Sequence, residues 1–115
     1  MADPFRPRYY ILNADGDPEP CDALLTWAAW MEANQQNRQV SDDYDEGDPE
    51  KKIRVSTVFL GLDHRHFGEG PPILYETLVF GGALDGTMER YATREEAAIG
   101  HQEMCARVTA ALPPR

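Results

Sequence analysis

One segment whose residue types and spacing could do chemistry is DHRH at positions 63–66, which follows an apolar run. In an extended segment, residues i and i+2 project to the same side, so His64 and His66 could bind one metal ion together. Imidazole suits zinc, copper, iron or nickel, but a metal site needs at least a third protein ligand. The candidates for that ligand are Asp63, Glu76 and His101.

An H-x-H pair is a weak signal by itself, because most histidines at a hairpin tip are solvated or make a local hydrogen bond. We therefore expect no tightly bound transition metal and no cofactor, and we keep His64 and His66 as the weak candidate ligands. The alternative is a small metal-dependent enzyme centred on His64, His66 and His101. We find no P-loop, GxSxG, HExxH or GxGxxG pattern, so the sequence predicts no catalytic residue.

His101 is the second feature, since it stands in the middle of an apolar helical stripe beside Gly100. A buried polar group needs a partner whether or not it is functional. We favour a core histidine that donates to a strand carbonyl or to a buried carboxylate such as Glu76. In the alternative, Glu76 and His101 line a pocket. If Glu76 meets His101 or His64, that pair would be the best acid/base candidate in the chain.

The third feature is an acidic stretch at positions 42–50, with six carboxylates within nine residues. Such runs are usually solvated loops, and their field speeds encounter with a basic partner. The predicted hairpin tip at His64–Gly70 adds Phe67, and an aromatic beside charged residues on a Gly/Pro-rich loop has the composition of a protein-binding anchor. The predicted partner-binding residues are Asp42, Asp43, Asp45, Glu46, Asp48, His64, His66 and Phe67.

The net charge of −9 limits the kinds of partner that the protein can bind. Such a charge repels the phosphate backbone, so we expect no direct binding of nucleic acid. The acidic loop could instead mimic a nucleic acid and compete for a protein that binds one. No apolar stretch approaches the roughly 18 residues of a membrane span and no signal peptide is evident, so we expect no membrane contact and a cytoplasmic protein.

The length of 115 residues predicts one domain, with flexible ends at Met1–Pro7 and Pro113–Arg115. The two cysteines, Cys21 and Cys105, are far apart and fit free thiols. Cys105 lies on a helical apolar stripe, where a free cysteine commonly acts as a small buried hydrophobe.

Two helices are expected to position these residues. Apolar residues recur at helical spacing from Leu24 to Met31, with Trp27 at the centre as a core anchor. The second helix begins at the capping box of Thr93 and Glu96 and ends near Leu112. Its apolar stripe comprises Ala97, His101, Met104, Cys105, Val108 and Leu112.

Five strands are expected around the helices, from their aromatic and β-branched content and the turn residues between them. They are Arg8–Asn13, Arg38–Val40, Ile53–Leu60, Ile73–Phe80 and Thr87–Ala92. The element order is β-α-β-β-β-β-α, which predicts an α+β fold. Its antiparallel sheet of four or five strands carries two amphipathic helices on one face.

Three segments also resemble a family: "VSTVFLGLDH", "GPPILYETLVFGG" and "RYATREEAAIGH". They are similar to a set of small proteins encoded mostly by phages and prophages, and the resemblance covers roughly Asp22 to Val108. It implies a phage accessory protein that binds a host or phage protein, with counter-defence as one such role, and it carries no catalytic residues. A homo-oligomer is left open.

Overall fold

The computed structural model of the chain describes residues 7–45, 50, 52–65 and 68–113. Their strands form two antiparallel sheets, one of β1 and β2 and one in the order β3-β4-β5-β6. This confirms the predicted α+β class with a four-stranded antiparallel sheet and two helices. The elements are β1 (Tyr10–Leu12), β2 (Pro18–Pro20), α1 (Leu24–Ala33), β3 (Gln39–Tyr44), β4 (Arg54–Phe59), β5 (Tyr75–Phe80), β6 (Met88–Tyr91) and α2 (Arg94–Ala110).

Strand β2 is absent from the predicted order, because its segment contains two prolines and was expected to break the chain. The turn before it is organised by Asn13, whose Oδ1 accepts from the backbone N–H groups of Asp15 at 2.9 Å and Asp17 at 3.0 Å. Gly16 adopts the positive φ of 83° that this turn requires. Proline is tolerated in β2 because a two-stranded sheet consists only of edges.

Strand β3 is longer than predicted, and this corrects the interpretation of positions 42–50 as a loop for positions 42–44. The strand continues to Tyr44, so that Asp42 pairs with Ser56 and Asp43 with Val55. Aspartate is disfavoured in strands by propensity, but both carboxylates find partners elsewhere in the fold, which outweighs that preference. Predicted loop residues Glu46 and Asp48 lie outside the described residues, as do positions 1–6 and 114–115 of the predicted flexible ends.

The large sheet buries one face under α2. Alternate residues of β4 point to this covered face, where Val55 packs with Met104 and Val108, and Phe59 with Ala97. The buried apolar residues of the two core clusters are Tyr10, Val55, Phe59, Leu74, Tyr75, Val79, Ala97, Met104 and Val108. The predicted apolar stripe of the second helix is thereby confirmed for its central residues.

Helix α1 packs differently from its predicted stripe. None of its residues is fully buried, and Leu24 and Leu25 are exposed. Its contacts come instead from Trp27, whose Nε1 donates to the Gly61 carbonyl at 2.8 Å, and from Trp30, whose ring meets Phe59 edge-on at 6.0 Å. Trp27 is half-buried, and its ring lies tilted against the ring of Tyr9, just before β1, with 4.9 Å between the centroids. It therefore anchors α1 at the end of the sheet and not in the centre of the core.

Helix α2 begins as predicted. The Thr93 Oγ1 accepts from the Glu96 backbone N–H at 3.1 Å, and acidic residues occupy the first turn. Gly100 is needed in the middle of this helix because a Cβ there would overlap the ring of Tyr91. The missing side chain therefore lets β6 approach α2 and brings the next residue, His101, close to the sheet.

Candidate functional site

A cleft of about 510 Å³ opens between the end of β3 and α2. Its lining includes the carboxylates of Asp43 and Asp45, the imidazole of His101 and the thiol of Cys105. Asp43 lies on β3 opposite Val55, so it points to the covered face. His101 and Cys105 are four residues apart on α2, which places both side chains on the same face of the helix.

His101 is held at both ring nitrogens. The residue is 2 % exposed, its Nδ1 lies 2.7 Å from the Thr57 Oγ1, and its Nε2 lies 2.8 Å from the Asp43 Oδ2. The Thr57 hydroxyl also bonds the hydroxyl of Thr77, which is fully buried. A carboxylate only accepts, so Nε2 carries a proton in this arrangement. The result is a chain of hydrogen bonds from an exposed carboxylate to the interior of the sheet.

Cys105 completes the group. The ligand atoms of Asp43, His101 and Cys105 all lie within 4.8 Å of one another. Burial raises the pKa of the Cys105 thiol, and the carboxylates of Asp43 and Asp45 raise it further. Because a thiolate and not a thiol is the nucleophile, this environment disfavours a catalytic cysteine.

Two tyrosine hydroxyls are buried beside this network. Among the residues that the structure describes, the Oη atoms of Tyr75 and Tyr91 have no hydrogen-bond partner. Burial raises the pKa of both, and for Tyr91 the nearby Thr77 hydroxyl offsets part of the rise. Both phenols therefore stay protonated at neutral pH, and neither lies in the lining of the cleft.

The structure does not bring Glu76 and His101 together. Glu76 alternates with Thr77 along β5, so it points away from α2, and its Oε2 pairs with the Arg90 Nε at 3.1 Å. His101 instead has Asp43 as its carboxylate partner. The predicted core histidine is thus present, but its partner comes from the segment that was interpreted as a loop.

Positions 63–65 form a loop that is held by Asp63. Asp63 is 5 % exposed, and its Oδ1 accepts from the backbone N–H groups of Arg65 at 2.8 Å and Ile73 at 2.9 Å. The His64 Nδ1 donates to the Leu62 carbonyl at 2.7 Å. His64 is not in the group of possible metal ligands found in the described part of the chain. The predicted residues His66 and Phe67 lie outside the described residues.

The described carboxylates of the acidic stretch contact the protein itself. Asp42 makes a two-pronged pair with Arg54 at 2.6 and 3.0 Å, and the Asp45 Oδ2 accepts from the Thr109 hydroxyl at 2.9 Å. With Asp43 bound to His101 and Glu50 paired with Lys52 at 2.9 Å, all four described carboxylates of the stretch have partners within the chain. Their placement does not favour the predicted use of this segment as a free acidic surface.

The face of the large sheet opposite α2 is a second candidate site. No helix or strand within the described ranges covers it. Its charges are balanced by the pairs Asp42–Arg54 and Glu76–Arg90, and the Arg54 guanidinium lies 5.5 Å from the Phe80 ring. We define the open face by its apolar residues Tyr44, Val58, Leu78, Phe80 and Met88, of which Tyr44, Phe80 and Met88 are exposed by 53, 42 and 44 %.

Sequence reasoning overlooked two of these features, although each left a signal. The i, i+4 spacing of His101 and Cys105 indicates one helical face, but nothing in the sequence places Asp43 beside them. Strand β5 carries apolar residues on both of its sides, with Tyr75 and Val79 on one and Leu78 and Phe80 on the other. This pattern indicates a sheet with two apolar faces. The sequence predicts helices for one of these faces only, and it does not indicate which element covers the other.

Comparison of the chain with protein-family models, with curated proteins and with solved structures finds no match. The resemblance to small phage-encoded proteins therefore stays a prediction. In the described part of the chain, neither helix has the length and apolar character needed to cross a bilayer. The function must be argued from the residues themselves.

Proposed function

We propose that this chain is a small accessory protein that acts by binding a partner protein through the open face. The observation that carries the proposal is the exposure of Tyr44, Phe80 and Met88 on a sheet face that no described helix or strand covers. Large apolar side chains grouped on one surface are typical of an interaction site, whereas single scattered ones are normal.

The charges on the open face support docking of another protein. Arg54 and Arg90 are each paired with a carboxylate of the same face, so the centre of the surface is close to neutral. An apolar centre that includes aromatic and methionine side chains, with arginines among them, is the composition of a protein interface. Residues of this kind contribute most of the binding free energy when a partner excludes water from them.

The partner is expected to carry basic residues around an apolar contact surface. The chain has a net charge of −9, which attracts a basic protein and makes the association rate sensitive to salt. A second copy of the chain would bring the same negative charge, so self-association is disfavoured. The resemblance to phage-encoded proteins supports a partner from the bacterial host or from the phage, including a defence protein.

The alternative functions have less support. An enzyme centred on His64, His66 and His101 would need His64 near His101, and His64 is not part of the metal-ligand group that contains His101. A nucleic-acid mimic would need free carboxylates, and Asp42, Asp43 and Asp45 are bound within the fold.

The test starts from capture of proteins from a bacterial lysate by the immobilised chain, with Phe80→Ala and Ile99→Ala chains run in parallel. Ile99 is a matched control, because it is exposed by 62 % on α2, away from the open face. A true partner is retained by the parent and by Ile99→Ala and is lost with Phe80→Ala. With that partner purified, Phe80→Ala should weaken binding by about 30-fold or more, as for other aromatic hot spots.

Light scattering of the pure chain provides the second arm. A monomer across the accessible concentration range is expected. A stable dimer that Phe80→Ala dissociates would show that the open face binds a second copy, which overturns the proposed partner. Equal binding of a purified partner by both alanine variants would overturn the proposed surface.

A further inference from the structure

We propose that the cleft between β3 and α2 binds a zinc ion through Asp43, His101 and Cys105. This site is independent of the proposed function, because it lies on the covered face of the sheet and protein binding is assigned to the open face.

The three residues offer a coherent ligand set. A thiolate, an imidazole and a carboxylate are the side-chain ligands that zinc takes, at about 2.3 Å for sulfur and about 2.0–2.2 Å for nitrogen and oxygen. In a tetrahedral site such bond lengths put the ligand atoms about 3.3–3.8 Å apart. The atoms of the three residues already lie within 4.8 Å of one another. The proposed site therefore requires the ligand atoms to move closer by about 1 Å at their widest separation.

The imidazole of His101 is oriented in advance. It is buried, its Nδ1 contacts the Thr57 hydroxyl, and its Nε2 points to the cleft and to Asp43. A metal-bound histidine almost always donates its other N–H to an acceptor that fixes the ring. Thr57 can act as that acceptor, since its hydroxyl can donate in turn to Thr77.

Zinc would replace protons that the ligands now carry. The thiol proton of Cys105 is released to solvent as sulfur binds the metal. The ring of His101 changes tautomer: Nε2 gives up the proton that it shares with Asp43, and Nδ1 takes up a proton and donates it to the Thr57 hydroxyl, so the ring stays neutral and Nε2 is free to coordinate. Asp43 and Asp45 make the cleft negative, and the cation compensates for the cost of a thiolate beside them.

Three protein ligands leave the fourth position of a tetrahedral ion open to the cleft. Sites that hold zinc only for structure have four protein ligands, whereas an open position is typical of sites where water or another molecule binds. Asp45, the remaining carboxylate in the lining, already accepts from the Thr109 hydroxyl. The open position therefore suits a water molecule or an incoming ligand.

The test uses untagged, reduced full-length protein with Co²⁺ as a spectroscopic probe and Zn²⁺ as the competitor. One equivalent of Co²⁺ should produce the visible bands of a tetrahedral ion and a near-ultraviolet thiolate-to-cobalt charge-transfer band. Zn²⁺ should remove both in a one-to-one titration. Spectra that show only hydrated, octahedral cobalt overturn the proposal.

Matched variants identify the ligands. Cys105→Ser should abolish the charge-transfer band while Cys21→Ser leaves it unchanged, and Asp43→Asn should weaken zinc binding while Asp42→Asn does not. Loss of a direct ligand should lower the affinity for zinc by roughly 100-fold or more. Loss of a residue that only hydrogen-bonds to a ligand typically lowers it by about 10–100-fold. Circular dichroism checks that each variant is folded. Parent-like binding by both Cys105→Ser and Asp43→Asn, or loss of the band in Cys21→Ser, overturns the site.

Discussion

The two faces of the large sheet use the same strands for different purposes. On the covered face, Val55, Phe59 and Val79 are at most 2 % exposed and pack against α2 or its neighbours. On the open face, Phe80 directly follows Val79 in the chain and is 42 % exposed. Neighbouring residues of one strand therefore differ in burial only because a strand alternates sides. Apolar character in this sequence does not by itself indicate the core.

The polar residues of the two faces differ in the same way. Beneath α2, His101, Thr57 and Thr77 form a buried network that ends at the exposed carboxylate of Asp43. The open face carries surface ion pairs, which typically contribute little to stability. We infer that stability comes mainly from the covered face, and that the open face is free to serve binding.

The largest expected effect that separates the faces is on stability. Phe59→Ala should lower the free energy of unfolding by about 3–5 kcal/mol, because it leaves a cavity between the sheet and the helices. Phe80→Ala should cost less than about 1 kcal/mol, mainly from the lost contact with the Arg54 guanidinium. Urea denaturation followed by fluorescence measures both.

Phe59→Leu serves as the control, since it keeps most of the buried volume and should be destabilised less than Phe59→Ala. It also remains measurable if the alanine variant does not fold. Equal losses of stability for Phe59→Ala and Phe80→Ala would mean that the two faces contribute alike, and the contrast drawn above would be wrong.

A smaller effect is expected at the end of the covered face, where α1 docks. Trp27→Ala should cost about 2 kcal/mol, because the ring is only half-buried and its indole donates one hydrogen bond to the Gly61 carbonyl. This is less than the 3–5 kcal/mol expected of a fully buried aromatic. Thermal and urea melts measure the difference.

Trp27→Phe separates the two contributions, because it keeps a ring and removes the donor. It should lose about 1 kcal/mol, the usual net value of one hydrogen bond. A loss for Trp27→Ala as large as for Phe59→Ala would place Trp27 in the centre of the core, as the helical pattern alone suggests.

The features that the sequence predicted correctly are those that depend on the local residue pattern. Three features are set by neighbours within one element. They are the Thr93 cap, the helical stripe of Ala97, Met104 and Val108, and the strand β4. Helix α1 was predicted less well. Its docking depends on Gly61, which lies 34 residues from Trp27 and accepts its hydrogen bond.

The candidate metal site could not be predicted for the same reason. Asp43 and His101 are 58 residues apart and meet only because β3 extends beyond its predicted end. Aspartates are poor strand formers, so their pairing with Arg54 and His101 is visible only in the folded chain. Likewise, Glu76 lies on the same side of β5 as Leu78 and Phe80, and the sequence does not say which side α2 covers.

The most direct test of the central claim is hydroxyl-radical footprinting of the chain with and without its purified partner. The account predicts that the partner protects Tyr44, Phe80 and Met88 from oxidation, while the exposed Leu24, Leu25 and Ile99 react as in the free chain. Protection of Leu24 and Leu25 or of Ile99, with Phe80 and Met88 still reactive, would contradict it and move the binding surface to the helices.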